Sequence, residues 1–199
     1  REVQNIRRSK AILGPYRPCE PFALAGRILS SKRLFDGQRH IYIAPLENGV
    51  MCLPRELYAG PEGQLCQRPA AEVTAFFNRT LHQFDKPRNV AEGFVLQTPG
   101  NCMLDCSVQL DPQATLTISM RQQPAGRDFR SFTLRPRSQD VEFGGPGGRE
   151  SRRCPFDASK AIKFQAFVQD STIECFVNAQ YAFTFGAQNY PKYALSFKV

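Results

Sequence analysis

The chain has 199 residues, of which 42% are hydrophobic, and its formal net charge is +8. This hydrophobic fraction can supply a buried core, which excludes a largely disordered chain. The sequence contains no apolar run long enough to cross a bilayer, so we expect no membrane partner.

The positive charge raises the question of a nucleic acid partner. Basic residues gather in segments 121–137 and 149–153. They are accompanied by no zinc-finger spacing, no RNA-binding aromatic signature and no basic amphipathic helix. We therefore interpret the charge as a solvated basic surface and expect no nucleic acid partner.

The first residues, Arg-Glu-Val-Gln-Asn, contain neither a start methionine nor a signal-peptide pattern. We expect a fragment or a processed product of a longer protein, with no visible targeting signal. Asn78-Arg79-Thr80 is a glycosylation sequon. It makes Asn78 a candidate modification site if the protein is secreted or extracytoplasmic, the location that the sequence slightly favours.

Cysteine spacing gives little sign of a metal or cofactor. The seven cysteines are an odd number, so at least one has no partner within the chain. No CxxC pair occurs, and we therefore expect no structural zinc site and no cofactor. We expect most of the thiols to be buried as small hydrophobic groups.

Strand patterns dominate the chain. The turn signals Asp36-Gly37 and Gly60-Pro61-Glu62-Gly63 each predict a hairpin. The predicted strands are 22–29, 32–35, 39–44, 51–58, 64–68, 93–97, 102–110, 114–121, 129–136, 163–169, 172–178, 181–185 and 193–198. Many short strands separated by turns indicate an all-β chain with an antiparallel β-sandwich.

One helix is predicted in the middle of the chain. Pro69 can begin it, and the spacing of five apolar residues is helical: Val73, Phe76, Phe77, Leu81 and Phe84. The segment 85–89 ends it. A single helix between two β regions predicts a division of the chain near residue 85.

No catalytic constellation is apparent. His40 and His82 lie on a predicted strand and the predicted helix, and neither has a metal-spacing partner. The glycine-rich segment 144–148 lacks the helix start and lysine of a phosphate loop, so we predict a long flexible hairpin loop.

Paired carboxylates are the remaining catalytic option, because glycosidases use two. The candidates are Glu20, Asp36, Glu56 and Glu174. Asp36 is explained by its turn, and no pattern brings any two of the four together. For each carboxylate we favour a salt bridge or a surface position.

Three motifs resemble glycoside hydrolase family 32, which contains invertases, inulinases and levanases. Leu53-Pro54-Arg55-Glu56-Leu57, followed by Gly63 and segment 65–69, is similar to its Leu-Pro-Arg-Glu-Leu … Gly-x-Leu-x-Gln-x-Pro signature. Segments 14–16 and 34–41 resemble a late propeller pattern. Segment 170–178 resembles a strand of the family's carboxyl-terminal module, with Asp170, Glu174, Phe176 and Asn178 at the motif positions.

The resemblance implies an architecture. Residues 1–66 would be the last strands of a five-bladed β-propeller, 67–88 a helical linker and 89–199 an antiparallel β-sandwich. The implied partner is the amino-terminal propeller half of the same enzyme, with a fructan or another carbohydrate as a further partner and a homo-oligomer as an option. Leu53, Pro54, Arg55, Glu56 and Leu57 would form the junction, and we predict an ion pair between Arg55 and Glu56 there.

The family's catalytic motifs are absent from the sequence. They are W-M-N-D-P-N-G for the nucleophile, R-D-P for the transition-state stabiliser and the triplet E-C-P for the acid/base. Cys19-Glu20-Pro21 has the first two residues of that triplet in swapped order, so no catalytic residue is transferred. The resemblance implies a carboxyl-terminal fragment or subunit of a β-fructofuranosidase that gives structural support and does not cleave sugars by itself.

Two alternatives stay open at this point. The first is a lectin-like carbohydrate-binding module, which would use Phe or Tyr side chains, including Tyr181, Tyr190 and Tyr193, because the chain has no Trp. The second is a non-catalytic interaction protein that keeps the scaffold and offers an apolar edge to a partner.

Overall fold

The computed structural model describes residues 7–8, 17–18, 32–46, 49–98, 101–122, 128–145, 148–169, 172–186 and 193–198. Within these residues the chain is all-β apart from one short helix, as the sequence predicts. The elements are β1 (Arg7–Arg8), β2 (Arg17–Pro18), β3 (Lys32–Phe35), β4 (His40–Ile43), β5 (Arg55–Ala59), β6 (Leu65–Pro69), α1 (Ala71–Phe76), β7 (Phe94–Thr98), β8 (Cys102–Val108), β9 (Leu116–Gln122), β10 (Asp128–Arg135), β11 (Asp140–Gly145), β12 (Gly148–Arg153), β13 (Ile162–Gln169), β14 (Thr172–Val177), β15 (Tyr181–Gly186) and β16 (Tyr193–Lys198).

A β-sandwich forms the larger part of the described structure. A six-stranded antiparallel sheet, in the order β12-β11-β10-β9-β16-β7, packs against a four-stranded antiparallel sheet in the order β15-β14-β13-β8. We call the second one the central sheet. The core between them contains residues of both sheets, among them Leu116, Ile118, Phe132, Leu134, Val141, Phe143, Phe164, Ala166, Val168, Ile173, Cys175, Val177 and Phe183.

The central sheet is buried on both faces. Phe164, Ala166 and Val168 of β13 face the sandwich core, as their alternation predicts. Phe167 points the other way and packs in a second cluster with Leu53. Every residue of β14 is buried, so its alternate residues face two different packing layers.

The second layer is a four-stranded antiparallel meander, β3-β4-β5-β6, which we call the hairpin sheet. Its first turn is closed by Asp36, whose side chain accepts hydrogen bonds from the backbone of Gln38 and Arg39. Its last turn, between β5 and β6, is closed by a hydrogen bond from Gly63 N to Gly60 O. Gly63 has φ of 73°, a conformation that glycine adopts without steric cost. Both predicted hairpins are confirmed.

The helix is much shorter than predicted. It ends at Phe76, because Phe77 has φ −87° and ψ 72°. Val73 and Phe77 pack on the second cluster, but Leu81 and Phe84 of the predicted apolar stripe are exposed. The stripe lacks a packed surface beyond the first turns, and helix propensity without such packing is marginal for a short segment.

The described residues of the glycine-rich segment lie in strands and not in the predicted loop. Gly144 and Gly145 end β11, and Gly145 pairs with Gly148 at the start of β12. At Gly144 an added Cβ would lie 2.5 Å from the Oγ of Ser131, its cross-strand neighbour, so the Ser131 hydroxyl would have to rotate away to make room.

Several predictions lie outside the described residues, including the strand at 22–29 and the residues Cys19, Glu20 and Asp170. The domain boundaries at 66 and 88 stay predictions. Among the described residues, no helix is long and apolar enough to cross a membrane.

Candidate functional site

The described part of the chain holds no group of three or more His, Cys, Asp or Glu side chains placed to bind a metal ion. The two histidines have separate surroundings. The ring of His40 lies 4.8 Å from that of Phe35, and a ring nitrogen of His82 is hydrogen-bonded to the carbonyl oxygen of Gln97 at 3.1 Å.

The most unusual group in the described structure is a buried ion pair between the hairpin sheet and the central sheet. The side chains of Arg55 on β5 and Glu174 on β14 are 0% and 1% exposed. Arg55 Nη2 lies 2.5 Å from Glu174 Oε2, and Arg55 Nε donates to the same oxygen at 3.2 Å. The pair joins residues that are 119 positions apart in the sequence.

Polar neighbours satisfy the remaining atoms of the pair. The backbone N–H of Leu53 donates to Glu174 Oε1. Thr184 on β15 accepts a hydrogen bond from Arg55 Nη2 and lies 3.2 Å from Glu174 Oε2 as a donor. Gln67 Oε1 on β6 accepts from Arg55 Nη1 at 3.3 Å. Side chains from four strands contribute to this network. It therefore holds the hairpin sheet in one position on the central sheet.

The surroundings of the pair are apolar. The Arg55 guanidinium lies 5.6 Å from the centre of the Phe176 ring, and Leu53, Phe167, Phe176 and Ala182 form one buried cluster at this interface. Charges in such an environment are strongly penalised unless they are paired and hydrogen-bonded. We name Arg55, Glu174, Thr184, Gln67 and Leu53 the joint network.

The predicted ion pair between Arg55 and Glu56 is wrong. Adjacent residues of a strand point to opposite faces, and Glu56 accordingly lies away from the joint network. Its carboxylate accepts hydrogen bonds from Arg68 Nε and Nη2 at 3.1 and 2.7 Å. The side chains of Glu56 and Arg68 are 12% and 49% exposed, and the Arg68 guanidinium lies over the ring of Tyr58.

A second set of contacts joins the hairpin sheet to the turn between β14 and β15. Tyr58 Oη donates to the carbonyl oxygen of Ala179 at 2.6 Å, and Gln67 N donates to Gln180 O at 3.2 Å. Asn178 and Ala179 both have positive φ, 53° and 52°. Asn178 also accepts a hydrogen bond from Lys163 N at 2.8 Å, which ties the turn to β13.

The other predicted site residues are dispersed. Pro54 accepts a backbone hydrogen bond from Ala70 at 3.0 Å, and the half-buried Leu57 packs on a separate cluster with Tyr42. Asn78 lies exposed after α1. Tyr181 is half-buried, and burial raises its pKa to about 12. Tyr190 lies outside the described residues.

Sequence reasoning missed Thr184 and Gln67. Both are polar residues that are buried in strands, and Gln67 stands inside the resemblance motif at 63–69. A threonine in the run Tyr-Ala-Phe-Thr-Phe is the available signal, because its alternation places it on one face with Ala182. No sequence pattern near Thr184 indicates that Arg55 is its partner across the interface.

A small cavity of about 50 Å³ lies inside the sandwich. Its lining is mostly apolar and includes Leu104, Ile118, Phe164 and Ile173. The adjacent Cys175 thiol is buried, which raises its pKa. An apolar void with an inert thiol offers no converging catalytic groups.

Comparison with known proteins identifies the fold. No protein-family model matches the chain, and no curated protein matches it in sequence. Among solved structures, the GH32 β-fructofuranosidase of Bombyx mori is similar with a TM-score of 0.66 and 10% identity, over 92% of this chain and 42% of that one.

Two further solved structures are similar over 92% of this chain. A glycoside hydrolase family 32 protein from Bifidobacterium adolescentis has a TM-score of 0.64 at 17% identity, with 31% of its length covered. Sucrose-6-phosphate hydrolase from Lactobacillus gasseri has a TM-score of 0.63 at 11% identity, with 44% covered. The chain therefore spans less than half of these structures and shares their fold over that part.

Proposed function

We propose that this chain is the non-catalytic, carboxyl-terminal part of a family-32-type β-fructofuranosidase. In this proposal the hairpin sheet belongs to the last part of a β-propeller, and the sandwich is its rigid support. The intact enzyme would hydrolyse sucrose or fructans by the retaining mechanism with two carboxylates, both supplied by residues outside this chain.

One observation carries the proposal. Two of the three motifs that resemble the family, 53–69 and 170–178, meet in the joint network, where Arg55 of the first binds Glu174 of the second. The fold similarity to GH32 structures supports the same assignment. The ion pair between Arg55 and Glu174 gives a physical reason for these two motifs to occur in the same chain.

The outer edge of the hairpin sheet supports a propeller partner. All four residues of β3 are exposed, and the exposed fractions of Leu34 and Phe35 are 63% and 57%. An edge strand with exposed apolar side chains tends to pair with other chains and aggregate unless another part of the protein covers it. In the proposal these side chains pack against the neighbouring propeller strands of the amino-terminal half.

The test compares the 199-residue chain with a longer protein that includes the residues encoded upstream of Arg1. Fructose release from sucrose and inulin is measured for both. We expect hydrolysis by the longer protein and none by the 199-residue chain. Turnover that copurifies with the short chain, or an upstream sequence that encodes no propeller strands, would overturn the proposal.

A matched pair of variants links the joint network to this function. In the longer protein, Glu174→Gln should shorten the half-life of hydrolytic activity at elevated temperature, because it weakens the support of the propeller. Glu56→Ala is the control, since Glu56 lies outside the network, and it should leave the half-life close to that of the wild type.

A further inference from the structure

The glycosylation sequon lies on an open segment after the helix. Asn78, Arg79 and Thr80 are all exposed and belong to no helix or strand. Asn78 Nδ2 makes no hydrogen bond to any residue that the structure describes. Asn78-Arg79-Thr80 is also the only Asn-x-Ser/Thr triplet in the sequence. The acceptor amide is therefore accessible in the folded chain, and any N-linked glycan has one possible site.

Two neighbouring phenylalanines give this segment a defined orientation. The Phe77 ring packs against Phe167 at 5.5 Å and joins the buried cluster at the sheet interface. Phe76 points outward and is 79% exposed. The φ and ψ of Phe77, −87° and 72°, are close to those of an inverse γ-turn. The chain therefore bends at Phe77, and the exposed Phe76 ring precedes the acceptor Asn78 by two residues.

We infer that Asn78 is an N-glycosylation site and that Phe76 is the platform for the first sugar of the glycan. This inference is independent of the proposed hydrolytic role of the longer protein. The donor is a lipid-linked oligosaccharyl pyrophosphate. Asn78 Nδ2 forms a bond to the anomeric carbon of the donor sugar, the bond from that carbon to the pyrophosphate oxygen breaks, and the amide loses one proton while the lipid pyrophosphate leaves.

The exposed ring gives the glycan a physical role. The C–H face of a pyranose is apolar, and contact with the Phe76 ring removes apolar surface of both groups from water. Because Phe77 anchors the segment to the sheet interface, this contact also restrains the residues that follow α1. The attached sugar should therefore protect the segment 77–84 from proteolysis.

The experiment translates the full chain behind a cleavable signal peptide in the presence of endoplasmic reticulum microsomes. We expect an upward gel shift that peptide N-glycosidase F reverses, with conversion of Asn78 to Asp detected by mass spectrometry. Thr80→Ala should abolish the shift, and Thr80→Ser should keep it because the sequon is retained.

A second sequon provides the positive control. In Thr80→Ala, the added change Ala91→Thr creates Asn89-Val90-Thr at another exposed position. Glycosylation of Asn89 in that variant together with an unmodified Asn78 in the wild-type chain would overturn the inference about the site. If Phe76→Ala is glycosylated and its glycan still slows proteolysis of 77–84 as much as in the wild type, the platform role is wrong.

Discussion

At the residue scale, the joint network shows what a strand pattern can and cannot predict. The alternation of a strand already places Arg55 and Glu56 on opposite faces, so their separation was predictable from the sequence. The partner of Arg55 was not, because Glu174 is 119 residues away. The sequence favours a salt bridge or a surface position for Glu174, but only the packing of the two sheets shows that its partner is Arg55.

Loss of the Glu174 charge should be strongly destabilising. Glu174→Gln leaves the guanidinium of Arg55 buried without a compensating carboxylate. We expect the free energy of unfolding to fall by about 3–5 kcal/mol. Urea unfolding of the wild type and the variant, followed by circular dichroism, measures the difference.

Glu56→Ala is the matched control for Glu174→Gln. Its pair with Arg68 is partly exposed to solvent, and such pairs contribute up to about 1 kcal/mol. Equal losses of stability in the two variants would contradict the assignment of Glu174 as the partner of Arg55.

Asp140 should make stability depend on pH in the acid range. Burial by itself would raise its pKa, but hydrogen bonds from Arg135, Ser138 and Ser151 outweigh this and lower the pKa below its ordinary value of 3.8. A lowered folded pKa means that the stabilisation is fully present above about pH 4. It is lost as the pH falls through the folded pKa.

Asp140→Asn tests this dependence. The substitution removes the charge that Arg135 binds, and we expect it to lower the free energy of unfolding by about 1–2 kcal/mol at neutral pH. The difference from the wild type should shrink as the pH falls below about 4 and through the lowered folded pKa, because the wild-type carboxylate then becomes protonated. A difference that stays constant between pH 7 and pH 2 in urea unfolding would contradict the mechanism.

At the scale of elements, period-2 alternation predicted most strands but not β1, β2, β11 or β12. Val141 and Phe143 face the core and alternate with Asp140 and Glu142. That pattern is short and ends in glycines, which usually indicate a loop. The helix prediction was too long. The helical spacing of apolar residues continues to Phe84, but Leu81 and Phe84 are exposed and the helix ends at Phe76.

The turn between β14 and β15 contains strain that a glycine would relieve. Ala179 has φ of 52°, which costs an L-residue about 1–2 kcal/mol. Glycine also increases the conformational entropy of the unfolded chain, which offsets part of this stabilisation. We expect Ala179→Gly to raise the free energy of unfolding by about 0.5–1 kcal/mol.

Ala114→Gly is the control for the turn, since Ala114 lies in a loop and does not have positive φ. It should lower the free energy of unfolding by about 0.5 kcal/mol through unfolded-state entropy. Thermal unfolding of the wild type and both variants measures these differences. A loss of stability in Ala179→Gly would show that the turn is not strained.

At the scale of the whole molecule, the sequence predicted the all-β class and the sandwich because alternation reports which faces are buried. It also carried the motifs of the resemblance. It did not reveal that the central sheet is buried on both sides, since continuous burial of β14 requires the hairpin sheet to cover it. The central claim is that the hairpin sheet and the sandwich form one structural unit through the joint network.

Hydrogen–deuterium exchange read by mass spectrometry tests that claim most directly. In Glu174→Gln, relative to Glu56→Ala, amide protection should fall together in residues 53–69 and 172–186, which face each other across the joint. Protection of β9, β10 and β11, on the far side of the sandwich, should change less. A loss confined to residues 172–186, with 53–69 as protected as in the control, would contradict the claim that the network joins the two sheets.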